Sequence, residues 1–202
     1  MIREACVENY DQATAAYKKG VERIELCDYL SCGGTTPSYG VIKKSVENID
    51  TPIMVIIRPR SGDFVYDNTE LEIMLEDINT CKKLGVHGVV IGALTRDNLV
   101  DIEATTKMIE AAKPMQTTFH KAFDEIEDQS SALETLIELS CDRILTSGGK
   151  ETAKEGAEQL NRLIEQAGDR IIILAAGRVT KDNLRELSDL ISAKEFHGRL
   201  IV

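Results

Sequence analysis

A chain of 202 residues, 43% hydrophobic and 29% charged, has the size and composition of one soluble globular domain that can bury a sizeable core. Its 34 acidic residues outnumber 24 basic ones, giving a net charge of -10 with no strongly basic stretch, which argues against a nucleic-acid or other polyanionic partner. No signal peptide follows Met1 and no apolar run nears the length of a membrane span, so a cytoplasmic protein with no membrane partner is expected.

Ile2 to Val7 reads as a strand, followed by an Ala-rich amphipathic helix from about Tyr10 to Lys19 that closes at Gly20. Arg23 to Cys27 is the second strand; Ile24 and Leu26 face one way, and Arg23, Glu25 and Cys27 the other. A glycine loop leads to a helix from Ser38 to Asn48, then to the apolar run Ile53 to Ile57, as expected of a parallel strand covered on both faces. The segment Arg58-Pro59-Arg60 and a loop precede a helix from Thr69 to Leu84, with Thr69 as its expected N-cap.

Gly88 to Gly92 is strand four, Ile102 to Ala112 a helix, and Gln116 to His120 strand five. A helix from Ser131 to Leu139 leads to strand six, Arg143 to Thr146, and a helix from Ala153 to Gln166 to strand seven, Ile171 to Ala175. The last pair is a helix from Lys181 to Leu190 and strand eight, Glu195 to His197. Eight strands alternating with seven helices predict a single α/β domain, a (β/α)8 TIM barrel spanning residues 1–202 with its last helix missing. The missing helix predicts a bare patch of barrel wall, which a symmetric partner would cover in a homodimer or higher homo-oligomer.

In such a barrel the strand C-termini open on one face, and ligand sites lie there. Glu4, Glu25, His120, Asp124 and His197 are the candidate acid–base residues, because carboxylates and imidazoles gathered at strand ends can move protons. Arg58, Arg60 and Asp63 end strand three and its loop, and the turns Ser147-Gly148-Gly149 and Ala176-Gly177-Arg178 follow strands six and seven. Together Arg58, Arg60, Asp63, Ser147, Gly148, Gly177 and Arg178 would suit a small anionic metabolite, with the glycine turns cradling a phosphate. The same charged set could also be a satisfied polar filling of the barrel.

The five cysteines are odd in number and form no C-x-x-C pair, which favours free thiols over a disulfide framework. Cys6 and Cys27 close adjacent strands with matching parity, and neighbouring strands lie about 4.8 Å apart. Two thiols so placed could bridge a soft ion such as Cu(I); equally, they could be small buried hydrophobes. Cys81 and Cys141 fall at packing positions, and Cys32 lies in the glycine loop.

Six stretches taken together resemble one family: R-I-E-L-C (23–27), G-G-T-T-P-S (33–38), I-R-P-R-x-G-D-F-x-Y (57–66), T-F-H-x-A-F-D (118–124), L-T-S-G (145–148) and E-F-H (195–197). This is the CutC family, assigned to copper homeostasis. The resemblance implies a TIM barrel, a cytoplasmic location, dimers or higher oligomers, and a Cu(I) site on Cys6 and Cys27. Ser61 stands where the family usually has glycine, and Lys121 where it usually has arginine. The chain also lacks a segment that longer members carry after strand eight.

Overall fold

The computed structural model describes residues 1–202. Eight parallel strands follow one another around a closed barrel: β1 (Ile2–Val7), β2 (Arg23–Leu26), β3 (Ile53–Ile56), β4 (Gly88–Ile91), β5 (Gln116–Phe119), β6 (Arg143–Thr146), β7 (Ile172–Ala175) and β8 (Glu195–Gly198), with β8 pairing back to β1. Seven helices cover the outside: α1 (Tyr10–Lys18), α2 (Tyr39–Asn48), α3 (Asn68–Leu84), α4 (Ile102–Ala112), α5 (Gln129–Glu138), α6 (Ala157–Ala167) and α7 (Leu184–Leu190). The expected eight-stranded, seven-helix barrel is the observed one.

Strand parity sorts the core into an outside and an inside. Ile24, Leu26, Ile53 and Val55 join the main apolar cluster between sheet and helices. Their neighbours Met54 and Ile56 instead join Cys6, Cys27, Leu30 and Val90 inside the barrel, where Leu145, Leu174 and Ala176 form a second small cluster. Side chains that alternate across a pleated strand produce this division directly.

Helix starts depart from the sequence reading, each for a local reason. Asp67, not Thr69, caps α3; its carboxylate accepts from Glu70 N–H at 2.9 Å while Glu70 accepts from Asp67 N–H at 3.0 Å, a reciprocal capping box. Asp128 caps α5 ahead of Ser131, its carboxylate accepting from Ser131 N–H at 3.0 Å and from the Ser131 hydroxyl. Residues before α6 are diverted: Ala153 N–H donates to Gly177 O at 2.9 Å, and Gly156 lies so close to Ser147 that a Cβ there would sit 1.9 Å from its carbonyl oxygen. Before α7, Lys181 N–H donates to Leu200 O at 2.8 Å, so the helix begins only at Leu184.

The expected bare wall is not found. The outward residues Ala5 and Val7 of β1 and Phe196 of β8 are all buried, and Ile201 packs into the same core cluster. Arg199–Val202 runs over this side, tied to the segment before α7 by a parallel bridge between Thr180 and Leu200. The physical ground for a covering partner therefore falls away. No helix is long and apolar enough to cross a membrane.

Candidate metal and ligand site at the barrel mouth

The floor of the site is a buried charge layer. Register sets Glu4 beside Arg23 on one flank and His197 on the other, and Cys6 beside Glu25. Arg23 pairs with both Glu4 and Glu195. Arg143 donates from Nε to Glu195 Oε2 at 3.1 Å and from a terminal nitrogen to Gln116 at 2.6 Å. Glu4 Oε1 lies 2.8 Å from His197 Nδ1, which turns His197 Nε2 toward Glu25 Oε2 at 3.5 Å. Buried charges persist when each has an opposite neighbour, and these four strands supply one.

This packing moves protons among the group. Burial pushes Glu4 up, but its hydrogen bond to His197 and the charge of Arg23 hold it down at about 2. Burial disfavours a charged His197, yet Glu25, Cys6 and Glu4 outweigh it and keep the imidazole protonated well above its usual range. Glu25 is pushed well up by burial and by the negative charge near it. Cys6 is shifted well below an ordinary thiol by its contact with Cys27 and by the neighbouring His197, and Cys27 is raised by the same contact and by burial. Cys6, Cys27, Glu25 and His197 therefore titrate as one coupled group, with Cys6 and His197 shifted toward their charged forms and Cys27 and Glu25 toward their neutral ones.

The two sulfurs are 3.9 Å apart and buried. Cys6 Sγ, Cys27 Sγ and a Glu25 carboxylate oxygen all lie within 4.8 Å of one another. Cys32 is not part of the group; its S–H donates to Tyr29 O at 3.0 Å. Cys81 and Cys141 are fully packed elsewhere, as expected.

Above the sulfurs opens a cavity of about 440 Å3, walled by Leu30, Ile56, Phe64 and Leu145. His120 and Arg58 flank it. His120 Nδ1 accepts from Ala122 N–H at 3.2 Å, so the ring proton is on Nε2, which has no partner in the protein. Burial and the nearby Arg58 charge press His120 down to about 3, so it stays neutral. Gly92 makes room for this ring: a Cβ there would stand 2.3 Å from His120 Cε1. Gly92→Ala is therefore expected to displace His120 and cost about 1–3 kcal/mol, read as a lower urea midpoint together with a changed His120 ring proton shift.

Several expected site residues have other tasks. Arg60 is bound by Glu70, Asp63 and the Val65 carbonyl, at 2.8 Å for the last, and so ties the loop to α3 instead of clamping an anion. Asp63 is committed to Arg60 and to Val65 N–H. Asp124 accepts from Ser147 N–H at 3.1 Å, from Gly149 N–H at 2.9 Å and from the Thr146 and Ser147 hydroxyls. Its carboxylate thus occupies the turn in which a phosphate was expected, and Gly148 N–H is taken by Thr146 Oγ1 at 2.9 Å. Asp124, Ser147 and Gly148 brace the turn and do not line the cavity. Gly177 and Arg178 do line it, although Arg178 pairs with Glu151 at the exposed rim. Arg58 lines the cavity too, with its terminal nitrogens donating to the carbonyls of Cys32, Gly34 and Gly62. The sequence reading missed Arg143; it shares the inward parity of Leu145 and Ser147, a signal that was available.

With this geometry described, comparison with known proteins is informative. A family model described as "CutC family" matches residues 1–202. The chain belongs to the CutC family. A CutC family protein of Pasteurella multocida is 46% identical over 153 residues, covering 76% of this chain and 63% of that protein. The human copper homeostasis protein cutC homolog is 44% identical over 161 residues, covering 80% of this chain and 59% of that one. The chain thus spans less than two thirds of these CutC relatives. The solved CutC of Streptococcus agalactiae superposes with a TM-score of 0.95 at 38% identity over 100% of both chains. An aldolase at 12% identity and a TM-score of 0.72 shares the barrel alone.

Proposed function

We propose that this CutC-family chain binds Cu(I) through Cys6 and Cys27 and serves copper homeostasis in the cytoplasm, without catalytic turnover. The supporting observation is the 3.9 Å sulfur separation inside the barrel mouth. With metal–sulfur bonds of about 2.3 Å, two sulfurs at that distance can share one ion without rearrangement of the strands. Thiolates are the preferred ligands of this soft ion. Contact with Cys27 and the neighbouring His197 favours ionisation of Cys6, while Cys27 holds its proton more tightly than an ordinary thiol, so loading displaces thiol protons. The human relative's name points the same way.

Anaerobic titration of the apo protein with Cu(I) against a competing chelator tests this. The Cys6→Ser, Cys27→Ser double variant is expected to lose at least about 100-fold in affinity, since even outer-shell changes cost 10–100-fold. Affinity should also weaken as the pH falls, because loading displaces a thiol proton. A double variant with parental affinity would end this reading. An acid–base enzyme has less support: Glu4 is tied to Arg23 and His197, and Asp124 to the turn after β6.

A further inference from the structure

The mouth is much larger than one ion requires. Its volume of about 440 Å3 lies in the range of small-molecule pockets, about 300–1,000 Å3. Its charge is also opposite to that of the whole molecule. In a protein of net charge -10, the lining includes Arg58, Lys121, Arg178 and Arg199 against a single carboxyl group, Glu25. Lys121 and Arg178 have carboxylate neighbours in Asp124 and Glu151. Arg58 and Arg199 form no ion pair; both donate to backbone carbonyls.

Arg58 is the telling residue. It is only 4% exposed, and a buried guanidinium outside any ion pair is costly; Asp63 feels its charge without pairing with it. Its Nε–H and the Nε2–H of His120, also 4% exposed, are without acceptors. Both residues lie against Phe64: the His120 ring centroid is 4.8 Å from that of Phe64, and the Arg58 guanidinium carbon is 4.8 Å from the same centroid. Two buried donors, one of them cationic, thus flank one half-buried aromatic side chain at the edge of an apolar chamber.

We propose that this mouth binds a metabolite-sized organic carboxylate, with Arg58 Nε–H and His120 Nε2–H donating to its oxygens and its apolar body against Leu30, Ile56 and Leu145. The carboxylate supplies the paired counter-charge that Arg58 lacks at close range and the acceptors that both donors lack. A phosphate fits less well, because the amides of Ser147, Gly148 and Gly149 that would cradle it are taken by Asp124 and Thr146. The proposal goes beyond the sulfur pair and does not depend on it.

Calorimetric titration of the protein with monocarboxylates of roughly three to six carbons, each paired with its own neutral amide and with inorganic phosphate as a further probe, tests the idea. At least one acid should bind saturably, its amide at least tenfold more weakly, and the His120 ring N–H proton shift should move with occupancy. His120→Phe should weaken that acid at least tenfold. Failure of every acid to bind at ~10 mM, equal binding of acid and amide, or phosphate binding in preference to the acids would overturn it. Because the acid–amide comparison uses the parent protein, a poorly folding His120 variant leaves the test intact.

Discussion

Glu195→Ala is expected to destabilise the protein by about 3–5 kcal/mol, the usual cost of removing one partner from a buried ion network. Glu195 is 5% exposed and is the carboxylate shared by Arg23 and Arg143, themselves 3% and 5% exposed. Its loss leaves two guanidiniums in a barrel interior with Glu4 as their remaining ionised acceptor. The measurement is the urea midpoint at unchanged slope. The comparison that isolates the cause is Glu195→Leu combined with Arg143→Met, which removes one charge of each sign and leaves Arg23 paired with Glu4. That double variant should lie closer to the parent than Glu195→Ala does. A cost below about 1 kcal/mol for Glu195→Ala would mean that the layer is solvated and not a buried network.

The second large effect is in acid. His120 is held at about 3 in the folded protein against 6.5 in an unfolded chain, so the unfolded state takes up a proton that the folded state refuses. The stabilisation from the neutral ring is complete above pH 6.5 and is lost progressively as the pH falls toward 3. At 1.36 kcal/mol per pH unit, the loss between pH 6.5 and 5 is about 2 kcal/mol. His120→Phe should flatten this part of the stability curve. His197 has the opposite sign: raised in the folded state, it contributes fully below pH 6.5 and less as the pH climbs through its folded value. Glu4, lowered from 4.5 to about 2, contributes above pH 4.5 and loses that contribution below it. Glu25, raised in the folded state, loses stabilisation as the pH climbs above 4.5 and so opposes the His120 slope; the His120 share is read from the difference between the parent and His120→Phe over pH 5 to 6.5. An unchanged slope in His120→Phe would place the ring in contact with water.

The strands were legible because alternation is a strong local signal: Ile24 and Leu26 against Arg23 and Glu25 already separated the outer core from the barrel interior. The same parity placed Cys6, Cys27, Arg58, His120 and His197 around one opening. Helix starts were less legible, because Ala153 and Lys181 belong to sequences that could continue a helix but donate to Gly177 and Leu200 instead. Side-chain roles were least legible. Nothing in R-P-R separates Arg58, which lines the mouth, from Arg60, which Glu70 holds ten residues later along the chain. Asp124 looked catalytic because sequence gives residue types at strand ends without their partners, and its partners are backbone amides twenty-odd residues away. Arg143 stands at the start of β6, at the end of the barrel opposite the strand C-termini where site residues are expected.

The Glu4–Arg23–Glu195–Arg143 layer closes the barrel beneath the sulfurs. With a plugged floor, the strand C-terminal end is the open side of the chamber. Traffic through it is ordered. A guest resting in the outer chamber bars the exit of anything seated deeper, so the two occupants proposed above would leave in the reverse order of their arrival.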